Sequence, residues 1–451
     1  MSNAKSNHLF GTDGIRGTFG EYPLDRISIL KLGNAVGRVL PGLKIIIGRD
    51  TRQSSETIMR LLSSGISAMS AKIISYDCGV IPTPGLSFIT DHDDFDFGIM
   101  ITASHNPWSD NGIKIFQSNG EKIPLVLERK LEEVFANIQE PMEVEGALAP
   151  ICTLSRGIYR NFLIDVAAQL ENTNIKEFKI VLDCANGAVF EEAPAIFKQA
   201  GFSPRVINNI PNGKNINRGC GSTDIDMLKR QVKEDRADLG IAFDGDGDRV
   251  IMVEPGGNIL DGDHILYLIA QYFLETNHDF NKIVVGTVQG NLGLEKALNK
   301  IGIQYTRTQV GDKYVYEEMK KQQSILGGEQ SGHTILSSFQ RTGDGILAAL
   351  FFLKALFHFQ LTPGEVFQKL HLYPQTTRNI PIREKPDLKQ WDELNGMIRE
   401  FEKRHGLNSR VLIRYSGTEP LIRVMLESEE QSVIHEYMEK FVHFITSTIG
   451  K

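Results

Sequence analysis

The sequence predicts an α/β protein: three related α/β domains with mixed, largely parallel sheets, followed by a smaller C-terminal α+β domain. A short apolar strand, a Gly-bearing turn, a helix-period segment and a second strand recur three times. The repeats are "KIIIGRDTRQSSETIMRLLSSGISAMSAKIISYDCG", "KIVLDCANGAVFEEAPAIFKQAGFSPRVIN" and "KIVVGTVQGNLGLEKALNKIGIQYTRT". Their Ile/Val runs are continuous, as in parallel strands covered by helices on both faces.

Each repeat anchors one domain. Changes of pattern at "TLSRGIYRNF", "EPGGNILDGD" and "LYPQTTRN" set the expected limits at 1–154, 155–258, 259–373 and 374–451. The last unit reads as a strand near "TTRNIPI", a helix around "DLKQWDELNGMIREFEKRHG", strands "SRVLIRY" and "LIRVMLES", and a final helix. In that helix Val433, Tyr437, Phe441 and Phe444 recur at three- and four-residue spacing, which is the pattern of a core-facing stripe.

A chain of 451 residues, 41% hydrophobic and 23% charged, is long enough for several cores and has an ordinary globular composition. Its net charge of -7 argues against broad nucleic-acid binding, which needs basic surface. Cys78, Cys152, Cys184 and Cys220 stand singly, without zinc-site spacing or disulfide density. No apolar leader and no apolar run of about eighteen residues occurs. The expectation is a cytoplasmic protein with no membrane and no nucleic-acid partner.

Four stretches carry chemistry. In "IAFDGDGDRVIMV", Asp244, Asp246 and Asp248 alternate with glycines between two apolar strands. If the segment is extended, residues at i, i+2 and i+4 share a face and the carboxylates crowd together. At about 5 Å and an effective dielectric near 20, each pair repels by roughly 3 kcal/mol, which a cation offsets. An all-oxygen donor set suits Mg²⁺. The plain alternative is an acidic surface turn, with Arg249 as a neutralising partner. Magnesium so held keeps positions for phosphate oxygens, which draws attention to Ser104 in "ITASHNPWSDNGIKIF". By itself that serine is equally well a turn or cap residue.

"LGGEQSGHT" offers Glu329, Ser331 and His333 in a Gly-rich turn, either as grips for sugar hydroxyls or as an ordinary loop. "RYSGTEPLIRV" gathers Arg414, Ser416, Gly417, Thr418 and Arg423, the guanidinium forks, hydroxyls and backbone N–H groups that hold a phosphate dianion. A polar hairpin loop with outward arginines is the alternative.

Together with "FGTDGIRG" at 10–17, these motifs resemble, in content and order, the α-D-phosphohexomutase superfamily, and within it the branch acting on glucosamine phosphates. The resemblance spans essentially the whole chain. It implies a heart-shaped four-domain arrangement with a cleft where the domains meet. It also implies a phosphoserine at Ser104, bound with Asp244, Asp246 and Asp248 to one Mg²⁺. The implied reaction converts glucosamine 6-phosphate to glucosamine 1-phosphate through glucosamine 1,6-bisphosphate, supplying cell-wall precursor synthesis.

By the same resemblance Arg16 and Lys114 lie near the reacting phosphate and His105 orients the site, with Arg249, the positive partner beside the aspartates, counted among the catalytic residues. Lys114 is placed to assist proton transfer and neutralise charge. Glu329, Ser331 and His333 face the sugar, while Arg414, Ser416, Gly417, Thr418 and Arg423 hold the distal phosphate. The partner is a hexosamine phosphate, and a homodimer is the implied assembly.

Two departures stand out. Thr102 replaces the frequent serine of the phosphoserine motif, and Tyr415 replaces a frequent basic residue. The Thr102 form also occurs in relatives acting on mannose and glucose phosphates, which leaves those substrates as the alternative. A catalytically inactive sugar-phosphate binder is a further one, and "DGDGDR" alone also suits a metal-dependent phosphatase.

Overall fold

The computed structural model describes residues 9–11, 13–40, 42–145, 148–150, 153–170, 175–416 and 420–451. Four sheets follow one another along the chain. The first holds β1 (Ile15–Thr18), β2 (Lys44–Arg49), β3 (Ile74–Val80), β4 (Phe97–Ile101), β5 (Asp110–Gln117) and β6 (Ala149–Pro150), in the order β1-β5-β4-β2-β3-β6. Strands β4, β2, β3 and β6 run parallel, and β5 and β1 are added antiparallel.

The second sheet holds β7 (Ile180–Asp183), β8 (Arg205–Ile207), β9 (Leu239–Phe243), β10 (Val250–Val253) and β11 (Ile259–Leu260), ordered β11-β10-β9-β7-β8. The third holds β12 (Ile283–Thr287), β13 (Gln304–Thr308), β14 (Leu326–Gly328) and β15 (Thr334–Leu336), ordered β13-β12-β14-β15. Both are mixed. The three sequence repeats form the expected units: β2 and β3, β7 and β8, and β12 and β13 each pair in parallel across an intervening helix.

The fourth sheet, β16 (Gln375–Pro381), β17 (Ser409–Tyr415) and β18 (Leu421–Ser428), is antiparallel in the order β16-β18-β17. Helices Asp392–His405 and Gln431–Ile449 complete this last unit. Val433, Tyr437 and Phe441 are buried in its core, and Phe444 packs against it half-buried.

Side-chain alternation explains how the first three units share an interior. On β2, Ile45 and Ile47 face a core belonging to the first unit alone, with Ile29, Val36, Ile58 and Leu62. Ile46 faces the other way, into one continuous core that runs through Phe88, Tyr159 and Leu182 to Leu266 and Phe352. The C-terminal unit has its own core around Ile422, Val424, Phe401 and Phe441. Among the described residues no single helix is long and apolar enough to cross a membrane. Gly345–His358 and Pro363–Lys369 have the composition only as a pair bent by 89°, and the longer is packed into the shared core.

Candidate active site

The site forms where loops at strand ends of the first three units converge. Ser104 sits in the loop between β4 and β5, 1% exposed, with φ of 50°, a left-handed conformation unusual for a residue with a Cβ. Residues 244–249 join the antiparallel strands β9 and β10. They form a turn and not the extended segment the spacing suggests, with Gly247 at φ 74°. The aspartates converge because the chain curls around them. Their ligand oxygens lie within 4.8 Å of one another, and all three residues are buried.

Ser104 Oγ donates to Asp244 Oδ2 at 2.5 Å, and Thr83 Oγ1 donates to Asp246 Oδ2 at 2.6 Å. Lys114, delivered by β5 and 1% exposed, places Nζ 2.9 Å from Asp246 Oδ2, 3.2 Å from Asp248 Oδ2 and 3.1 Å from Asp13 Oδ2. Burial opposes a charged lysine here, but Asp13, Asp246 and Asp248 outweigh it and hold the ammonium well above its ordinary pKa. Lys114 is thus held as a charged partner of these carboxylates.

The carboxylates fit a cation. Asp246 Oδ1 and Asp248 Oδ1 are buried with no hydrogen-bond partner among the described residues. Burial, Asp248 and Asp246 push the Asp244 carboxyl well up, which marks an excess of negative charge at this point. A hard divalent ion supplies what is missing, and oxygen donors are its preferred ligands.

Further positive groups surround the aspartates, with Arg249 Nε 3.8 Å from Asp248 Oδ1. Arg16 pairs with Asp13 at 2.6 Å. Lys122 joins Asp13 and, across to the third unit, Asp312, each at 2.5 Å. Burial raises the Asp13 carboxyl, yet Lys114, Lys122 and Arg16 override it and hold Asp13 well below the usual range. Arg249 Nη1 lies 3.1 Å from His105 Nδ1. The guanidinium is always the donor, so the imidazole is neutral with its proton on Nε2. Burial, Arg249 and Arg16 push its pKa down to about 4.

The remaining expected residues divide. Glu329 is half-buried and Oε1 accepts from the Gly311 N–H at 3.1 Å. Ser331 is exposed at the tip of the loop joining β14 and β15. His333 is 2% exposed and turned inward: the Gly343 N–H donates to Nε2 at 3.0 Å, and Nδ1 lies 3.7 Å from Asp248 Oδ1. His333 thus lies against an aspartate of the cluster.

In the last unit Arg414 and Arg423 are directly opposed across β17 and β18. Burial and Arg423 lower the Arg414 pKa, since two guanidinium groups lie close together. Ser416 is buried beside them, and Gly417 and Thr418 lie outside the described residues. Among the described residues no hydrogen bond or ion pair links Arg414 to the aspartate cluster. Tyr415 points to the helix-covered side of the sheet, its hydroxyl donating to the Pro386 carbonyl at 2.6 Å.

Four domain families match the chain in order. They are described as phosphoglucomutase/phosphomannomutase α/β/α domain I over 7–142, domain II over 159–257, domain III over 261–373 and the C-terminal domain over 378–444. The chain belongs to the phosphohexomutase superfamily. Full-length relatives named phosphoglucosamine mutase include one from Koribacter versatilis, 40% identical over 98% of this chain and 97% of its own length. Others come from Histophilus somni, 40% identical over 97% and 98%, and Pseudomonas aeruginosa, 39% identical over 98% and 99%.

Solved phosphohexomutase structures share the fold. A phosphoglucomutase/phosphomannomutase family protein of Burkholderia thailandensis superposes with a TM-score of 0.80 at 20% identity, covering 98% of this chain and 99% of that one. A putative phosphomannomutase of Thermus thermophilus gives 0.77 at 23% identity, over 96% and 98%. Membership makes the chain a phosphohexomutase enzyme with a sugar-phosphate substrate, and the buried aspartates are consistent with the metal site typical of the superfamily.

Sequence reasoning missed Asp13, Thr83, Lys122 and Asp312. Asp13 lies inside "FGTDGIRG", three residues before Arg16, so the motif held the signal. The Lys122–Asp312 pair spans 190 residues and leaves no local trace.

Proposed function

We propose that this phosphohexomutase interconverts glucosamine 6-phosphate and glucosamine 1-phosphate, with Ser104 as the phosphoryl carrier and glucosamine 1,6-bisphosphate as the intermediate. The observation that carries the reading is the Ser104 hydroxyl, buried and hydrogen-bonded to Asp244 inside a cation-fitting cluster. Full-length likeness to phosphoglucosamine mutases selects the sugar.

Ser104, as phosphoserine, and Asp244, Asp246 and Asp248 would hold Mg²⁺, which when bound neutralises charge on the transferring phosphoryl group. The phosphoserine P–O bond breaks as the sugar O1 attacks, and the O1 proton passes on balance to the departing Ser104 Oγ as the bisphosphate forms. After the bisphosphate turns over in the cleft, Ser104 Oγ takes the 6-phosphoryl group, its proton passes on balance to the departing sugar O6, and glucosamine 1-phosphate leaves. Lys114 and Arg16 stabilise equatorial oxygens through fixed positive charge. Arg249, braced against His105, aids the same phosphoryl group. Glu329, Ser331 and His333 face the sugar, while Arg414, Ser416, Gly417, Thr418 and Arg423 hold the phosphate that is not reacting.

The limits 154, 258 and 373 divide the four domains in this reading. The separate core of the last domain suits a part that closes over substrate and opens for release. The test is turnover of glucosamine, glucose and mannose 6-phosphates with Mg²⁺ and the matching bisphosphates. A kcat/KM at least about tenfold higher for glucosamine 6-phosphate is expected, corresponding to about 1.4 kcal/mol of transition-state preference. Equal or better turnover of glucose or mannose phosphate would overturn the assignment.

A further inference from the structure

Both sides of the Ser104 peptide are held by side chains that take no part in the chemistry above. Ser104 N–H donates to Thr102 Oγ1 at 2.9 Å, and Thr102 Oγ1 donates to Asp50 Oδ2 at 2.7 Å. Asp50 Oδ2 also accepts from Arg52 Nε at 2.8 Å, and Arg52 Nη2 donates to the Ser104 carbonyl at 2.9 Å. These bonds close a ring from the amide of Ser104 to its own carbonyl.

Arg52 does more within the same loop. Nη2 also donates to the Asn106 carbonyl at 2.9 Å, and Nη1 donates to the carbonyls of Pro107 and Asp110. From the second domain, Asn217 Nδ2 donates to the same two carbonyls, Ser104 at 2.8 Å and Asn106 at 3.1 Å. Gly245 completes the contact, since a Cβ there would lie 2.5 Å from the Ser104 carbonyl oxygen. Arg52 is 3% exposed and its guanidinium is spent on Asp50 and four backbone carbonyls, an arrangement that serves geometry and not substrate charge.

We propose that Thr102, Arg52 and Asn217 are positioning residues that clamp the Ser104 peptide in its left-handed conformation, with Asn217 setting the register between the carrier serine and the aspartate loop. The inference rests on Ser104 being the phosphoryl carrier. A left-handed serine relaxes toward ordinary backbone angles unless its surroundings over-determine it. Releasing either end of the peptide moves Oγ relative to Asp244, and a displacement near 1 Å costs about a hundredfold in rate. The clamp also accounts for Thr102: its hydroxyl accepts from Ser104 and donates to Asp50, and serine or threonine fills that role equally. The residue therefore carries no substrate preference.

The test uses the full chain with Mg²⁺, glucosamine 6-phosphate and glucosamine 1,6-bisphosphate. The variants are Thr102→Val, Thr102→Ser and Asn217→Ala, with Arg52→Lys as a more severe perturbation of a buried group. Steady-state kinetics are read beside the rate at which bisphosphate loads phosphate onto Ser104, followed by intact mass. Thr102→Val and Asn217→Ala are expected to lower kcat and the loading rate together by about 10–100-fold, with KM changed less than about threefold. Thr102→Ser is expected to restore most of what Thr102→Val loses.

Wild-type kcat in Asn217→Ala and Thr102→Val would overturn the clamp. So would parallel loss of folded protein and activity with kcat per folded molecule unchanged. Ser104→Ala run alongside separates the two ideas: full turnover there would overturn the carrier assignment itself, whereas an inactive Ser104→Ala with fully active clamp variants would overturn the clamp alone.

Discussion

Replacing Lys114 with methionine tests the electrostatic balance of the site. The ammonium is 1% exposed and lies 2.9–3.2 Å from carboxylates of Asp246, Asp13 and Asp248. At about 3 Å and an effective dielectric near 20, each contact is worth roughly 5 kcal/mol before desolvation. Stripping water from the ammonium and carboxylates costs several kcal/mol per ion, so the sum is far smaller than three such contacts. Removing one partner of a buried pair costs about 3–5 kcal/mol because uncompensated charge stays behind. Lys114→Met is therefore expected to lose about 3–5 kcal/mol in metal-free protein.

Urea unfolding followed by fluorescence reads that loss where it arises. The chain has two tryptophans, Trp108 in the Ser104 loop and Trp391 in the last domain, so Trp108 reports the site in a Trp391→Phe background. Adding Mg²⁺ returns part of the lost stability by supplying positive charge to the same carboxylates, about 2.7 kcal/mol at a hundredfold excess over Kd. An unfolding free energy within about 1 kcal/mol of the parent without metal would refute the account of Lys114 as the compensating charge. Equal Mg²⁺ stabilisation of parent and variant would refute the claim that lysine and metal act on shared carboxylates.

Other outcomes follow from the same geometry. Asp246→Asn is expected to weaken Mg²⁺ binding by more than the 10–100-fold that follows loss of a supporting group; a calorimetric Kd within threefold of the parent would count against the metal assignment. His105 in metal-free protein is expected to titrate near 4 against an ordinary 6.5. The unfolded chain takes up that proton first, so this group removes up to about 3 kcal/mol of stability as pH falls from 6.5 to 4. Imidazole NMR, assigned with His105→Gln, checks it, and a midpoint near 6.5 contradicts it. Gly245→Ala is expected to lower kcat by at least about tenfold, because its Cβ would meet the Ser104 carbonyl; unchanged turnover in folded variant would contradict the close approach. Tyr415→Lys is expected to leave KM for the sugar phosphate unchanged while costing about 1 kcal/mol through the lost bond to Pro386.

The three repeats were legible because parallel strands and their crossover helices leave continuous Ile/Val runs and a helical period in one stretch of chain. The aspartate cluster was legible for a different reason: a metal demands particular side chains at short spacing. Its backbone was not, since Asp244, Asp246 and Asp248 converge in a tight turn where alternation suggests an extended strand. His333 reads as a sugar-facing residue from its Gly-rich surroundings, and its place near Asp248 comes from the isolated bridge between Arg249 and His333, which no local pattern announces. The Thr102 and Tyr415 departures look chemical in sequence. In the fold the first keeps its hydroxyl bonds and the second faces the domain core. Lys122 and Asp312 escaped notice because an ion pair between two domains imposes no pattern on either segment.

The most direct test is the intact mass of the purified chain, with peptide mapping across residues 101–116, before and after incubation with glucosamine 1,6-bisphosphate and Mg²⁺. The account predicts the added mass of one phosphoryl group, localised to Ser104 and removed by turnover with excess hexosamine phosphate. An unphosphorylated Ser104 in enzyme that is actively converting glucosamine 6-phosphate would contradict it.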